Sequence, residues 1–556
     1  MQVRPSQPLA HIPSRTYQRR DPEATVLHRV VRENLEGFLT RARSRERVVP
    51  RFVERAFRTF LRCGILAHGF VRVHCDACGH DRLVGFSCKG RGVCPSCGGR
   101  RMAELAAHMV DRVFPEVPVR QWVLTLPFAL RYRLAYDARL AAAVDRAFVA
   151  AVFASLARRA RGLGRGRRPS GSARRLRGGA VTFVQRSGDA LNLNIHFHTL
   201  VLDGVYERYG QAGMRFRALR PPSSEELQRL LADVVGRIRR LPTRRGLGPE
   251  ADPSLADPLQ ETQPLLAELA AASVQGRAAS GPRAGLRPRR LGDQIDPEDL
   301  SGSIQGLAAC DSFTLHAAVA VPGRDRRRLE RLVRYAARPP LASDRLAALP
   351  DGTLSYRLKN RWRDGTTHIL FEPVELLERL AALVPAPRTR LVKYHGVLAP
   401  CAGWRDRVVL DPLGGVRSVL LGEATARQGG DSLGPAAAMH AGVESSTSMT
   451  RCAGPGASLE EPPLAAAAGE AQGPRSATAS RDEGAPVKKS RRKNWSWSEM
   501  MRRVFDLDVL ECAACGGKLR VLAAIQDPDA IRAILDCLGL SSRPPPPPSP
   551  TLSDLF

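Results

Sequence analysis

The stretch 191–206, LNLNIHFHTLVLDGVY, carries two histidines, His196 and His198, in an otherwise apolar run. Read as a β-strand, it sends alternate side chains to opposite faces, so both imidazoles share one face and Phe197 takes the other. Their Cα atoms would stand about 6–7 Å apart, close enough for two imidazoles to grip one metal ion. Two hydrogen-bonded core histidines would occupy the same positions, and the strand alone does not separate these readings. A metal held by two imidazoles needs a further ligand. Gln185 on the preceding strand is the nearest candidate, with Asp189 behind it. Such a site keeps open positions where phosphate oxygens can bind and be polarised.

Sulfur chemistry is concentrated at 75–97, CDACGHDRLVGFSCKGRGVCPSC. Two CxxC pairs, Cys75/Cys78 and Cys94/Cys97, are fifteen residues apart, the spacing of a four-thiolate zinc site. Each CxxC turn aims two sulfurs at one point, and a tetrahedral ion needs four. The spacing therefore predicts one structural zinc on Cys75, Cys78, Cys94 and Cys97. Cys88 is a spare or a substitute ligand, and His74 and His80 flank the site. Lys89, Arg91, Arg100 and Arg101 around it suggest a phosphate-contacting face. Cys512/Cys515, in ECAACGGKL, make a second pair, but two ligands do not fill a tetrahedron and Cys537 is too isolated to complete it. Among eight tyrosines, Tyr335 is the candidate nucleophile. It sits beside Arg331, Arg334 and Arg338, cations that would attract the phosphate a phenol attacks.

The elements that would position these groups can be read from periodicity. Residues 25–62 predict two helices, with Leu27, Val30, Val31, Leu35 and Phe38 at helical spacing. A further helix is expected over about 100–113, a strand at 121–127 and a helix at 137–160. Strands at 181–186 and 194–204 suit an antiparallel hairpin. Residues 240–305 are rich in Pro, Gly and Ala and predict a mostly irregular insertion, with a helix at 264–273. A strand is expected at 312–323 and a helix at 324–338, halted by Pro339 and Pro340. Two strands and a helix follow to about 384. Residues 418–490 lack periodicity and predict a disordered linker. A small domain at 495–540 and a proline-rich tail at 541–556 close the chain.

The chain has 556 residues, with 85 Lys+Arg against 55 Asp+Glu, a formal charge of +30. Excess charge of this size points to a polyanion, and nucleic acid is the commonest. The arginine tract at 158–177 and KKSRRK (488–493) with Trp495 and Trp497 are candidate contact regions. No apolar run reaches the roughly 18 residues expected of a membrane span, and the first residues lack a signal-peptide core. The expectation is a cytoplasmic protein with no membrane partner, whose twelve cysteines are metal ligands or thiols.

In order, FSCKGRGVCPSCGGRRM, WVLTLP, LNLNIHFHTLVLDGVY, LVRYAARPPLASDRL, YHGVLAP and CAACGGKLRVLAAIQDP resemble one family. It is the rolling-circle transposases of bacterial insertion sequences, of the His-hydrophobe-His (HUH) type with an amino-terminal zinc-binding domain. The resemblance covers most of 25–415 and again 495–556. It implies an α+β fold with a central antiparallel sheet of the HUH-endonuclease, replication-initiator or ferredoxin-like kind, flanked by helices and interrupted by long disordered insertions. A helical zinc-binding domain at 25–115 would precede a catalytic domain at 118–415. It also implies that His196 and His198 bind Mg²⁺ or Mn²⁺ and that Tyr335 attacks single-stranded DNA to form a 5′-phosphotyrosine. Some members carry two tyrosines four residues apart, whereas here those positions hold Arg331 and Pro339, so the chain resembles the single-tyrosine kind. The segment YHGVLAPCAGWR has Cys401 where relatives are expected to have Asn. A non-catalytic zinc-dependent DNA-binding regulator and a relaxase or replication initiator are the competing readings.

Overall fold

The hydroxyl of Thr25 accepts from the His28 amide and caps α1 (Val26–Ser44). This helix buries Leu27, Val30, Val31, Leu35 and Phe38, the stripe expected from the sequence, against α2 (Arg51–Leu61) and the main core. The computed structural model describes residues 19–162, 176–209, 213–243, 257–292, 306–409 and 496–543. Most of the arginine tract, the linker expected at 418–490, KKSRRK, Trp495 and the proline run lie outside the described residues.

After α2 come a hairpin of β1 (Phe70–Cys75) and β2 (Asp81–Gly85), then α3 (Pro95–Arg112) and β3 (Val119–Thr125). Helices α4 (Phe128–Tyr136) and α5 (Ala138–Gly162) lead to β4 (Gly179–Ser187) and β5 (Leu193–Leu202). The hairpin β6 (Gly204–Tyr209) and β7 (Gly213–Ala218) precedes α6 (Ser224–Thr243). The region expected to be irregular holds α7 (Pro258–Thr262), α8 (Pro264–Gln275) and β8 (Arg289–Gly292). The single strand expected at 312–323 is broken, with β9 (Leu307–Cys310), β10 (Phe313–His316) and β11 (Ala320–Val321) in that region. Next are α9 (Arg326–Ala336), β12 (Leu346–Ala348), β13 (Leu354–Arg357), β14 (Thr366–Phe371), α10 (Pro373–Leu383), β15 (Val392–Gly396) and α11 (Arg405–Val408). The carboxy-terminal segment contributes α12 (Trp497–Phe505), β16 (Leu519–Ile525) and α13 (Pro528–Cys537).

The central sheet runs β15-β4-β5-β3-β10-β9, with β11 also on β3, and its described pairs are all antiparallel. The expected mixture of helices with antiparallel sheet is therefore present. β5 is paired on both sides and buried on both faces, which is why it reads as a nearly unbroken apolar run. One face packs against α3 and α9 through Val181, Phe183, Leu200, Met109, Leu332 and Val333. The other, with Trp122, Phe197 and Val201, packs on α5 and other helices of the main core.

Helix α5 corrects one expectation. By length and composition alone it is apolar enough to cross a membrane. Here its alanine-rich surface is core: Val144, Phe148, Val152 and Leu156 are all buried.

At the β5–β6 corner, Asp203 and Arg120 are both buried and pair at 2.7 Å, while Arg120 also donates to the Ala317 carbonyl at 2.9 Å. This guanidinium thereby ties β3 to the β5–β6 corner and to the segment after β10. Asp203→Ala would strand a buried charge, so it should cost about 3–5 kcal/mol. The check is the urea unfolding midpoint at unchanged m value. A loss under about 1 kcal/mol, the size of a surface pair, would show that this pair does not hold the corner.

Candidate active site

Strand alternation puts His196 and His198 on the sheet face that carries Gln121, Phe183 and Gln185 and is covered by α3 and α9. In the register, His196 stands opposite Gln185 on one side and Thr125 on the other. The two imidazole ring centroids are 4.9 Å apart. His196 Nδ1–H donates to the Asn194 carbonyl at 2.8 Å, which leaves the Nε2 lone pair free to ligate. The Gln121 carboxamide nitrogen donates to His198 Nδ1 at 2.7 Å, which puts the neutral ring's proton on Nε2, buried with no hydrogen-bond partner among the described residues; turned about, the carboxamide oxygen would accept from Nδ1–H and free the Nε2 lone pair for a metal. Burial pushes the His196 imidazole down to about 4, aided by the charges of Arg338 and Arg131. Burial also carries His198 well below the ordinary histidine range, with His196 and Arg338 adding to it. Both rings are therefore neutral at neutral pH, the form that binds metal.

Gln185 joins this pair to the helix behind it. Its Nε2 donates to the carbonyls of Tyr335 at 3.0 Å and Ala336 at 2.8 Å. Its Oε1 is buried and has no partner among the described residues. Two buried polar atoms without partners, His198 Nε2 and Gln185 Oε1, are costly in a buried site. With the Gln121 carboxamide turned about, a cation would satisfy both, and nitrogen and oxygen donors of this kind suit divalent ions such as Mn²⁺ or Mg²⁺. Asp189, the other candidate ligand, instead pairs with Arg338 at 3.4 Å.

Helix α9 forms where expected. Asp325 caps it by accepting from the Arg328 amide, and Leu329, Leu332, Val333 and Ala336 form the buried stripe. Tyr335 is half-buried at its edge. Its ring meets that of His198 edge-on, with centroids 5.5 Å apart. Two cations cover the Tyr335 ring: Arg338 at 4.8 Å and Lys359 at 4.2 Å from its centroid. Lys359, on the loop after β13, has no spacing signal that would attach it to this site from sequence. Its ammonium is shifted down by burial and then by Arg338. The phenol opens into a cleft of about 680 Å³ lined by Arg20, Arg334, Arg338, Arg345 and Lys359, with no carboxylate in its wall. A cleft of this charge attracts phosphate oxygens.

The cysteines require a correction. The sulfurs of Cys75 and Cys78 do not gather with those of Cys94 and Cys97. Instead Cys63, Cys88, Cys94 and Cys97 form one cluster, and Cys75, Cys78, Cys512 and Cys515 form another. Sulfur–sulfur distances are 3.5–3.7 Å in each. Four thiolates about 2.3 Å from a tetrahedral ion stand about 3.8 Å from one another, so both clusters have the dimensions of a zinc site. CxxC spacing identifies which two sulfurs converge, but not which pairs share an ion. Cys63, twelve residues before Cys75, gives no spacing signal, because it lies in RCG at the end of a helix with no paired cysteine.

Of the other candidates, His74 donates from Nδ1–H to Asp81 Oδ1 at 2.9 Å and belongs to neither sulfur cluster. Trp497 is half-buried at the start of α12. In the described part of the arginine tract, Arg159 pairs with Glu226 at 3.7 Å and Arg177 lies 4.7 Å from the centroid of the Trp404 ring.

Comparison with known families agrees with this layout. Residues 179–405, which span β4, β5 and α9, match the family model Y2_Tnp, described as "Putative transposase". Residues 30–126, which hold six of the eight clustered cysteines, match Zn_Tnp_IS91, a transposase zinc-binding domain. No curated protein and no solved structure matches the chain. Residues 179–405 thus resemble a transposase domain and residues 30–126 an IS91-type transposase zinc-binding domain, and each of the two sulfur clusters could hold a metal ion.

Proposed function

We propose that this transposase cleaves and rejoins single-stranded DNA at insertion-sequence ends, in the rolling-circle manner, through a covalent 5′-phosphotyrosine on Tyr335. The observation that carries the reading is the meeting of Tyr335 with the histidine pair, its ring 5.5 Å from that of His198. Nε2 of His196 and His198 would hold Mg²⁺ or Mn²⁺, with Gln185 Oε1 as the third protein ligand. When bound, the ion would polarise the scissile phosphate and offset the charge developing on it.

The rest is done by the chain's own side chains. Arg338 and Lys359, both against the Tyr335 ring, draw the DNA phosphate to the phenol. Tyr335 Oη forms a bond to phosphorus as the bond from phosphorus to the 3′ oxygen breaks. The phenol proton ends, directly or through solvent, on the leaving oxygen, which becomes a free 3′-OH. Rejoining reverses the exchange, with a 3′-OH displacing the phenol. One phosphate ester replaces another, so no nucleotide is consumed. Gln185 keeps the helix in place by holding its last carbonyls to the sheet.

A single-stranded oligonucleotide with the element end tests this reading. Tyr335→Phe should abolish the covalent protein–DNA adduct and leave DNA binding within a few-fold of wild type; an adduct in that variant would remove Tyr335 from the chemistry. Paired His196→Ala/His198→Ala substitution should slow Mn²⁺-dependent nicking by about a thousandfold or more. If wild-type protein binds the DNA but never forms an adduct under any divalent ion, a DNA-binding regulator is the correct reading. Because burial keeps His196 neutral to about pH 4, Mn²⁺ affinity at this site, read by calorimetry, should change little between pH 7.5 and 5.5. An exposed histidine pair would lose it as pH falls through about 6.5.

A further inference from the structure

We infer that Cys75, Cys78, Cys512 and Cys515 bind a second zinc ion, which fastens the carboxy-terminal segment to the amino-terminal domain as a zinc ribbon whose two halves come from opposite ends of the chain. This goes beyond the proposed DNA chemistry and does not depend on it. The matched zinc-binding domain at 30–126 contains all four ligands of the Cys63/Cys88/Cys94/Cys97 cluster but only half of this one. The missing half lies more than four hundred residues away, with Cys75 Sγ 3.5 Å from Cys515 Sγ and Cys78 Sγ 3.7 Å from Cys512 Sγ.

The two halves are built alike. In each, the residue after the second cysteine is a glycine whose amide donates to the carbonyl of the first: Gly79 to Cys75 at 2.8 Å and Gly516 to Cys512 at 2.9 Å. Both glycines have φ near +73°, a left-handed conformation that tightens each turn and that side chains resist. Each turn is followed by a strand, β2 or β16, and both strands pair antiparallel with β1 in a three-stranded sheet, β16-β1-β2. Cys75 ends β1 opposite Leu519, the first residue of β16. The Gly517 amide points at Cys515 Sγ, 3.4 Å away, as amides do toward thiolates in metal sites.

Beside the β1–β16 pairing, the apolar contacts at this join are few. Leu66, Phe70, Leu83, Ile531 and Leu535 make a small apolar cluster, and Val73 and Leu519 pack with Cys75 and Cys512. The Arg520–Asp76 pair at 2.8 Å is largely exposed, a class of contact worth little by itself. Structural zinc supplies folding energy directly to small domains of this kind. The fastened segment then reaches the catalytic domain: Arg503 on α12 pairs with Asp111 of α3 at 2.9 Å and with Glu330 of α9 at 3.1 Å. Glu330 stands five residues before Tyr335 on the same helix.

Zinc content of the purified full-length protein, measured by atomic spectrometry, tests the assignment. Wild type should hold two ions per chain. Cys512→Ser/Cys515→Ser should hold one, Cys75→Ser/Cys78→Ser should hold one, and all four substitutions together should still hold one, because both pairs serve the same ion. Two ions retained in the tail variant, or none in the fourfold variant, would overturn the assignment. Should a variant fail to fold, the wild-type chain gives a second measurement. After mild chelation, a short reagent that bridges two thiols should join peptides containing 75–78 to peptides containing 512–515. Bridges from 75–78 to 94–97 instead would sink the proposal.

Discussion

The register of β5 between β3 and β4 is the constraint on which the site rests. With both neighbours hydrogen-bonded, β5 can present His196 and His198 only toward α3 and α9. A slip of one residue would turn both imidazoles to the opposite face, among Trp122, Phe197 and the helices of the main core. The register also sets Gln185 opposite His196, and Gln185 is the side chain that grips the end of the tyrosine helix. One pairing scheme therefore fixes three things together: the shared face of the imidazoles, the position of a spare carboxamide oxygen, and the distance from both to Tyr335.

Sulfur reaches the same place by a different route. Cys94 is at once a member of the inner cluster and the cap of α3, its sulfur accepting from the Cys97 amide. One turn in, Gly98 lies so close to Pro339 that a Cβ there would stand 2.7 Å from the proline ring. Further along, Arg326 of α9 donates to the Pro115 and Phe114 carbonyls just past the end of α3. A helix whose start is fixed by a four-sulfur cluster and whose length packs against α9 leaves Tyr335 little freedom to move away from the histidines. The segment matched to the zinc-binding domain is thus a wall of the candidate site as well as a neighbour of it, since Pro95, Ser96 and Met102 line the same cleft as Tyr335.

Features governed by local periodicity were legible in the sequence. The alternation in 194–202, the apolar stripe of α9 with its proline stop, and the helices at the amino terminus all follow from side-chain spacing, and the structure has them where spacing puts them. Gln185 as a neighbour of the histidines was legible for the same reason, because two adjacent strands fix it. What failed to show depended on long-range closure. The cysteines were grouped by proximity in sequence, whereas the fold pairs Cys75 with Cys515 and Cys63 with Cys97. Lys359 and Arg345 arrive from loops whose path no periodicity records. Helix α5 shows the converse: alanine-rich apolarity marks burial but not whether lipid or protein does the burying.

The net charge of +30 carries information only once its cations are sorted by surroundings. Arg379 and Arg120 are buried against Glu375 and Asp203 and are spoken for by the fold. Arg186 is buried without a carboxylate and instead donates to the carbonyls of Ala135, Ala382 and Leu383, holding β4 to α4 and α10, and burial lowers its affinity for a proton. These guanidiniums would be present whatever the protein bound. The cations around Tyr335 differ: although Arg338 meets Asp189 at 3.4 Å and Arg334 meets Glu330 at 2.6 Å, five cations share the wall of one open cleft, and like charges crowd there. Lys359 feels it, since Arg338 opposes its charge as burial does. A polyanion entering the cleft would relieve that crowding, so part of the sequence-wide surplus becomes a binding force beside a phenol.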